Sequence, residues 1–387
     1  MSGNRQHYVP RFLQAGFNSR PGKRAPHTWL YRKGEGGPVE AALTSVGVKK
    51  RFYDFSEYGV DLSADAAITE AEQRRLAGLV RKLREGRSEV TVHNAEALVE
   101  LFAHVHARTK AVRIAGELPL IPLFSAIQER LQDPRFLLEI MQSFARNKPD
   151  VFKRYLAPKY TGAEVDEMLS HLMRLKQGEL GEEITKQVVW NINVIKEIAA
   201  IWLRLYNTRL MQKIAGQPDM IITRFNGCIF QLKEFSGGRL VQGDSPVVFH
   251  KTRGAEFAPT LQKEEDFDYA YLPLSPKKVL VASKGGVPVS WEALQSASIA
   301  CSYEHFIAAE PYGELKGLAN LIGSAFPVIT DVYRQQLADE AFGIADRADW
   351  IKSSPVLEKI LQVLGAPSPE EKEKVMAQLF GELNTNG

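Results

Sequence analysis

Apolar residues recur at helical spacing through the middle of the chain and crowd into short runs after it. Leu98, Leu101, Phe102, Val105 and Val112 fall on one face of a helix that Asn94 can cap and that should run to about Ile114. Thr69 followed by Glu72 has the spacing of a capping box, so the helical pattern is read from Thr69 to about Gly216. Within that stretch further helices are predicted over 135–147, 149–156, 162–177 and 182–214, with a break at Pro119 and Pro122. Near the start, Pro10 opens a short helix over 10–16. The runs 28–32 and 39–43 read as strands joined through Gly34, Gly36, Gly37 and Pro38. The texture changes at Pro218. Short β-type runs are expected at 221–224, 228–233, 240–242, 247–250, 268–273 and 279–283, punctuated by Gly227, Gly237, Gly238 and Gly243. Helix returns over 291–309, 315–324 and 330–380, with a break at 365–369.

These elements predict an α+β fold that is predominantly helical, with a small β-rich portion formed by residues about 28–60 and 218–285. Residues 1–60 and 218–285 should be the β-rich portion that carries the motifs. Residues 61–217 should be a helical insert, and 286–387 a C-terminal helical region.

The chain has 387 residues, 44% apolar and 25% charged, which excludes a disordered or fibrous protein. Forty-nine basic against 46 acidic residues give +3, too little by itself to imply nucleic acid or membrane. The first sixty residues differ: ten basic and four acidic side chains give +6, interleaved with Tyr8, Phe17, Trp29, Tyr31, Phe52 and Tyr53. Phosphate contact and base stacking use such a mixture. No segment approaches the ~20 apolar residues of a membrane span, and no secretory signal is read at the start, so a cytoplasmic location and no membrane partner are expected. Cys228 and Cys301 form no CxxC pair and read as small core residues. His104 and His106 lie about 200° apart around a helix and cannot share a metal. No phosphate-binding loop, HExxH, EF-hand or nucleophile elbow occurs.

The densest signal is Gln6-His7-Tyr8-Val9-Pro10-Arg11-Phe12-Leu13, followed by Phe17. Phe12, Leu13 and Phe17 can anchor the Pro-started helix, His7 and Arg11 can offer polar tips, and a Gln-His pair is more than a core asks for. This octapeptide resembles the opening of a largely bacterial family, domain of unknown function 4238. Later landmarks are similar in the same order: Phe102 to Arg108-Thr109, then Gln242-Gly243-Asp244-Ser245-Pro246-Val247 with Gly243 where the family has Ser, then Pro273-Leu274-Ser275-Pro276. The Asn expected in the family's late helix is missing from 298–306. The resemblance implies no activity, because the family is named for lacking one.

The residues themselves suggest a site. His7, Arg11 and Asp244 are the candidate catalytic groups, with Arg108 and Tyr8 as substrate-binding groups. Histidine moves protons near neutral pH, arginine binds anions through two parallel hydrogen bonds, and an aspartate can orient a histidine, activate water or bind a metal. Such a set suits a phosphodiester or phosphate-ester hydrolase, where positioning and charge stabilisation dominate. The expected function is a nucleic-acid- or phosphate-ester-directed enzyme, such as a nuclease-like effector of bacterial defence. The alternative is a non-enzymatic binding or regulatory protein with a helical partner surface. A third reading is chemistry on a small phosphorylated ligand, which a closed pocket would favour over a basic groove. Against all three, Asp244 can serve an Asx turn, His7 can cap a helix and Arg108 can pair with an acid. No cofactor is assigned and no tightly bound metal is expected; a weak Mg²⁺ site at Asp244 stays open.

Overall fold

The computed structural model describes residues 5–57, 60–86, 95–117, 160–176, 222–254, 256–261, 265–285 and 290–326, with isolated positions between 135 and 153 and at 208, 209 and 374. The chain divides into two compact units. The first comprises Met1–Asp54, Ser63–Gly116 and Asn207–Val328, the second Phe55–Leu62, Glu117–Tyr206 and Ile329–Gly387.

The first unit opens with β1 (Arg5–His7) and a short helix α1 (Arg11–Gln14) that tightens into a 3-10 turn over Ala15–Phe17. Next come β2 (His27–Arg32), β3 (Val39–Ala42) and β4 (Val48–Lys50); β5 (Asp54–Glu57) and β6 (Val60–Ser63), which follow in the chain and pair with each other, fall mostly in the second unit, and the first resumes at Ser63. One helical run joins α2 (Asp65–Ala71), a π turn at Glu72–Leu76 and α3 (Ala77–Arg84). α4 (Ala95–Ala107) and α5 (Lys110–Glu117) follow. In the second unit α6 (Gly162–Arg174) starts on a full capping box, in which Thr161 Oγ1 accepts the Glu164 N–H while the Glu164 carboxylate accepts the Thr161 N–H. The first unit then resumes with β7 (Ile229–Glu234), β8 (Gln242–Gly243), β9 (Val248–Lys251), β10 (Phe257–Ala258), β11 (Phe267–Ser275), β12 (Lys278–Ser283), α7 (Trp291–Ala300), β13 (His305–Ala308) and α8 (Gly313–Leu318).

Two larger antiparallel sheets result, one ordered β10-β9-β11-β12-β7 and one ordered β3-β2-β13-β8, beside the small pair β1-β4. The near-continuous apolar run of β11 and β12 has a physical cause: both faces are covered. Leu272, Leu274, Leu280 and Ala282 pack with Val80, Leu83, Leu101, Phe102 and Val105 of α3 and α4. Tyr271, Val279 and Val281 pack with Leu294 and Ala297 of α7. Each fully buried Leu there contributes about 1.5–3 kcal/mol by leaving water.

The fold is mixed α+β; helix exceeds strand among the described residues, but antiparallel sheets take a larger share than expected, because strands occur where none was expected. The helix expected over 291–309 stops at Ala300, and His305–Ala308 is a central strand. Asp244 supplies the reason: its carboxylate takes the Tyr303 and Glu304 N–H groups, at 2.6 and 2.8 Å, that a continued helix would use itself. The helix expected from Asn94 to Ile114 breaks at Arg108–Thr109. There Thr109 Oγ1 accepts the Val112 N–H and starts α5. Thr69 caps nothing; it lies inside α2. The strand expected at 221–224 is a 3-10 turn over Thr223–Phe225 that delivers Phe225 to the core. The helices expected over 135–147, 149–156, 182–214 and 330–380 are described only at isolated positions, each helical. The break expected at 365–369 lies outside the described residues. No helix among the described residues is long and apolar enough to cross a membrane.

Candidate functional site

The four-stranded sheet brings distant polar residues into line. In the β2–β13 register Arg32 lies opposite His305 and Leu30 opposite Ile307; in the β13–β8 register Ile307 lies opposite Gln242. Asp244, two residues beyond Gln242, donates its N–H to the His305 carbonyl at 3.1 Å. Side chains directly opposed across strands share a face. That face therefore carries a polar row, Arg32–His305–Asp244, beside a second row, Leu30–Ile307–Gln242.

Beside the β2–β13 end of these rows lies a cavity of 610 Å³. Leu30, Arg32 and His305 of the sheet line it, with Lys33, Glu304 and Tyr8. The volume is that of a small-ligand pocket. Tyr8 is held over the site by its N–H on the Gly47 carbonyl, at 2.9 Å. Gly47 itself is required: its φ is +62°, and a Cβ there would meet Gln14 Nε2 at 2.8 Å and Val9 at 2.9 Å.

Asp244 is 1% exposed, and Oδ2 lies 3.5 Å from His305 Nδ1. Burial raises the Asp244 carboxyl above its ordinary range, against the pull of His305 and the two main-chain N–H groups. Burial lowers His305, and Asp244 and Glu304 oppose that shift. The Tyr8 hydroxyl is pushed up by burial and then by the charges of Asp244 and Glu304. Lys110, at the start of α5, pairs with Glu304 and places Nζ 4.6 Å over the Tyr8 ring. Asp244, Glu304 and His305 are also the residues here with metal-ligand chemistry.

A second network lies under the N-terminal motif. Arg108 is 4% exposed and sits at the break between α4 and α5. Its Nε donates to Tyr53 Oη at 2.9 Å, Nη2 donates to the His7 carbonyl, and Nη1 meets the Glu72 carboxylate and His104 Nε2, the latter at 3.3 Å. Tyr53 Oη donates to the same His7 carbonyl at 3.1 Å. Gln6 accepts the Tyr53 N–H at 2.6 Å and donates to the Asp54 carboxylate at 2.6 Å. The Gln-His pair is thus structural at Gln6, whose side chain fixes the edge of β1 and delivers Tyr8 to the cavity. The π turn that begins at Glu72 aims that carboxylate at Arg108.

Of the residues singled out by sequence, the structure brings Tyr8 to Asp244, and joins His7 to Arg108 through the His7 main chain. The His7 imidazole is half-buried. Arg11 is exposed on α1, and its guanidinium has no hydrogen bond or ion pair among the described residues. Arg108 is occupied by internal partners. His305, Glu304, Gln242, Arg32 and Lys110 were not anticipated. The only sequence signal for them is the period-2 pattern of Leu30/Arg32 and His305/Ile307, and β13 was hidden in an apparent helix.

No curated protein and no solved structure matches the chain. One family model does, over residues 5–302, a span that holds Tyr8, Arg108 and Asp244 and ends just before Glu304 and His305. The match covers well over half of the sequence, and the chain belongs to this family, described as a protein of unknown function (DUF4238).

Proposed function

We propose that the protein is an enzyme directed at phosphate esters, with the cavity beside the Arg32–His305–Asp244 row as its substrate site. The observation that carries the reading is that row. It sets a buried carboxylate against an imidazole at 3.5 Å, with a guanidinium on the other side of the imidazole. Lys33 and Arg32, the latter also paired with Glu35 at 3.1 Å, supply positive charge for a phosphate; Glu304 and His305 line the cavity and can activate a water, with Asp244 behind the imidazole to orient it. A cavity of 610 Å³ has room for a small phosphorylated ligand or a strand end, and this favours them over a duplex. A nuclease-like effector of bacterial defence is the narrower form of the same proposal. The binding or regulatory alternative draws support from Arg108, which is spent on scaffold contacts.

The test is a turnover screen on RNA, DNA, nucleotides and simple phosphate mono- and diesters, with Asp244→Asn and His305→Ala beside the wild type. Release of phosphate or cleaved ends by the wild type, lost in both folded variants, is the expected result. Wild-type inactivity on every ester, or full activity in Asp244→Asn, refutes it.

A further inference from the structure

We propose that Asp244, Glu304 and His305 bind a divalent cation, with Gln242 contributing a further oxygen. Each of the three offers one ligand atom, and these atoms all lie within 4.8 Å of one another. Two ligands on opposite sides of an ion at ~2.2 Å are ~4.4 Å apart, so small side-chain shifts suffice to close the set. Two carboxylates and one imidazole suit a cation that accepts both oxygen and nitrogen, as Mn²⁺ does.

Asp244 is already oriented for this. Its two oxygens each accept one main-chain N–H, and each keeps a lone pair for an ion. Outer hydrogen bonds of this kind fix metal ligands in place.

An independent observation comes from the neighbouring row. Gln242 is 1% exposed, yet neither its amide oxygen nor its amide nitrogen has a hydrogen-bond partner among the described residues. Ser245 Oγ, next to Asp244, is buried in the same condition. Buried polar atoms are nearly always paired, so an orphaned amide marks a partner still to come. Gln242 lies two residues before Asp244 on the same sheet face, about 7 Å along the strand and within reach of its long side chain. An amide carbonyl is an ordinary ligand for hard cations.

The spot also attracts a cation from the protein itself. The Lys110 ammonium pairs with Glu304 and lies over the electron-rich face of Tyr8. Lys110 is therefore a built-in competitor for the ion, and its loss should strengthen metal binding. A purely structural cluster would not respond in that direction.

The experiment is Mn²⁺ titration of the full chain by calorimetry and by electron paramagnetic resonance of free Mn²⁺. Wild type, Glu304→Gln, His305→Gln, Asp244→Asn and Lys110→Met are compared, with circular dichroism as the folding check. One saturable site is expected. His305→Gln and Asp244→Asn should weaken it at least tenfold, exposed Glu304→Gln severalfold, and Lys110→Met should tighten it. Should Asp244→Asn fail to fold, Glu304→Gln and Lys110→Met still decide, because the Glu304 side chain is half exposed and methionine keeps the apolar stem of the largely buried Lys110. No saturable binding up to millimolar Mn²⁺ overturns the proposal, as does binding unchanged in Glu304→Gln and His305→Gln. The inference concerns binding and does not need the ester reading: Mn²⁺ binding without turnover removes only that reading, whereas turnover without Mn²⁺ binding removes only this one.

Discussion

Arg108 was expected from sequence to hold substrate, and the structure assigns it to the scaffold; replacing it separates the two. In Arg108→Met the stem keeps its apolar packing while the guanidinium is lost. Glu72, whose side chain is 21% exposed, then keeps a charge with no arginine against it. Tyr53 Oη loses the donor at 2.9 Å, although it still donates to the His7 carbonyl, so that carbonyl is not orphaned. Removing one member of a buried ion pair costs about 3–5 kcal/mol, and the partial exposure of Glu72 places this case near the lower figure, about 3 kcal/mol. Urea unfolding at pH 7 should show that loss as a lower midpoint with an unchanged slope. Glu72→Gln in the same background should return part of it, with a coupling energy of roughly 1–3 kcal/mol in the double-mutant cycle. Stability unchanged within about 0.5 kcal/mol, or a cycle with no coupling, would refute the scaffold assignment and restore Arg108 to the ligand.

Two further predictions rest on buried groups. His106 is lowered to about 3 by burial and then by the charge of Arg224, so the native state holds it neutral while the unfolded chain takes up a proton below about 6.5. Stability should therefore be complete above pH 6.5 and fall by roughly 1.4 kcal/mol per pH unit from this group as the pH drops toward 3; urea midpoints at pH 7 and 4.5 in wild type and His106→Gln check it, and equal slopes would reject it. Gly16 has no room for a side chain, because a Cβ there would collide with the Leu274 carbonyl oxygen and crowd Arg84; Gly16→Ala should cost about 1–3 kcal/mol or more, and an unchanged melting temperature would count against the packing of the Ala15–Phe17 turn on β11.

The fold was readable where one residue class dominated a run. Val279–Ser283 and Asp268–Pro273 stand out as strands because covered faces leave only apolar positions between turns. β1 and β4 left no such trace: each has three residues, and Gln6 and Lys49 pair across them as polar neighbours. β13 was lost to the helix before it, since no Gly or Pro separates Ala300 from Ala308 and the device that ends the helix, Asp244, lies 59 residues away from Tyr303. Asp244 could be noticed in sequence through its Ser-Pro turn, and Tyr8 through the N-terminal motif. Their partners could not, because which strand neighbours β13, and in which register, is decided by contacts between residues some 275 positions apart.

That register is itself fixed by the core, which is why the polar row is a consequence of packing. Tyr31 and Phe306 stack with ring centres 4.6 Å apart on one face of the sheet, while Leu30 and Ile307 join Phe17, Leu43 and Val46 on the other. A slip of one residue between β2 and β13 would exchange these sets, placing Phe306 in the cavity and His305 against Val241 and Ile299. It would bury an imidazole among apolar side chains and expose an aromatic ring, and both changes oppose folding. The two apolar faces thus hold His305 and Arg32 on the side where Asp244 waits, with no attraction among the three needed to bring them together. The attraction between Asp244 and the Tyr303 and Glu304 N–H groups has a different task, to end α7 and turn the chain into β13. One carboxylate both shapes the strand that carries His305 and faces the imidazole once the strand is formed.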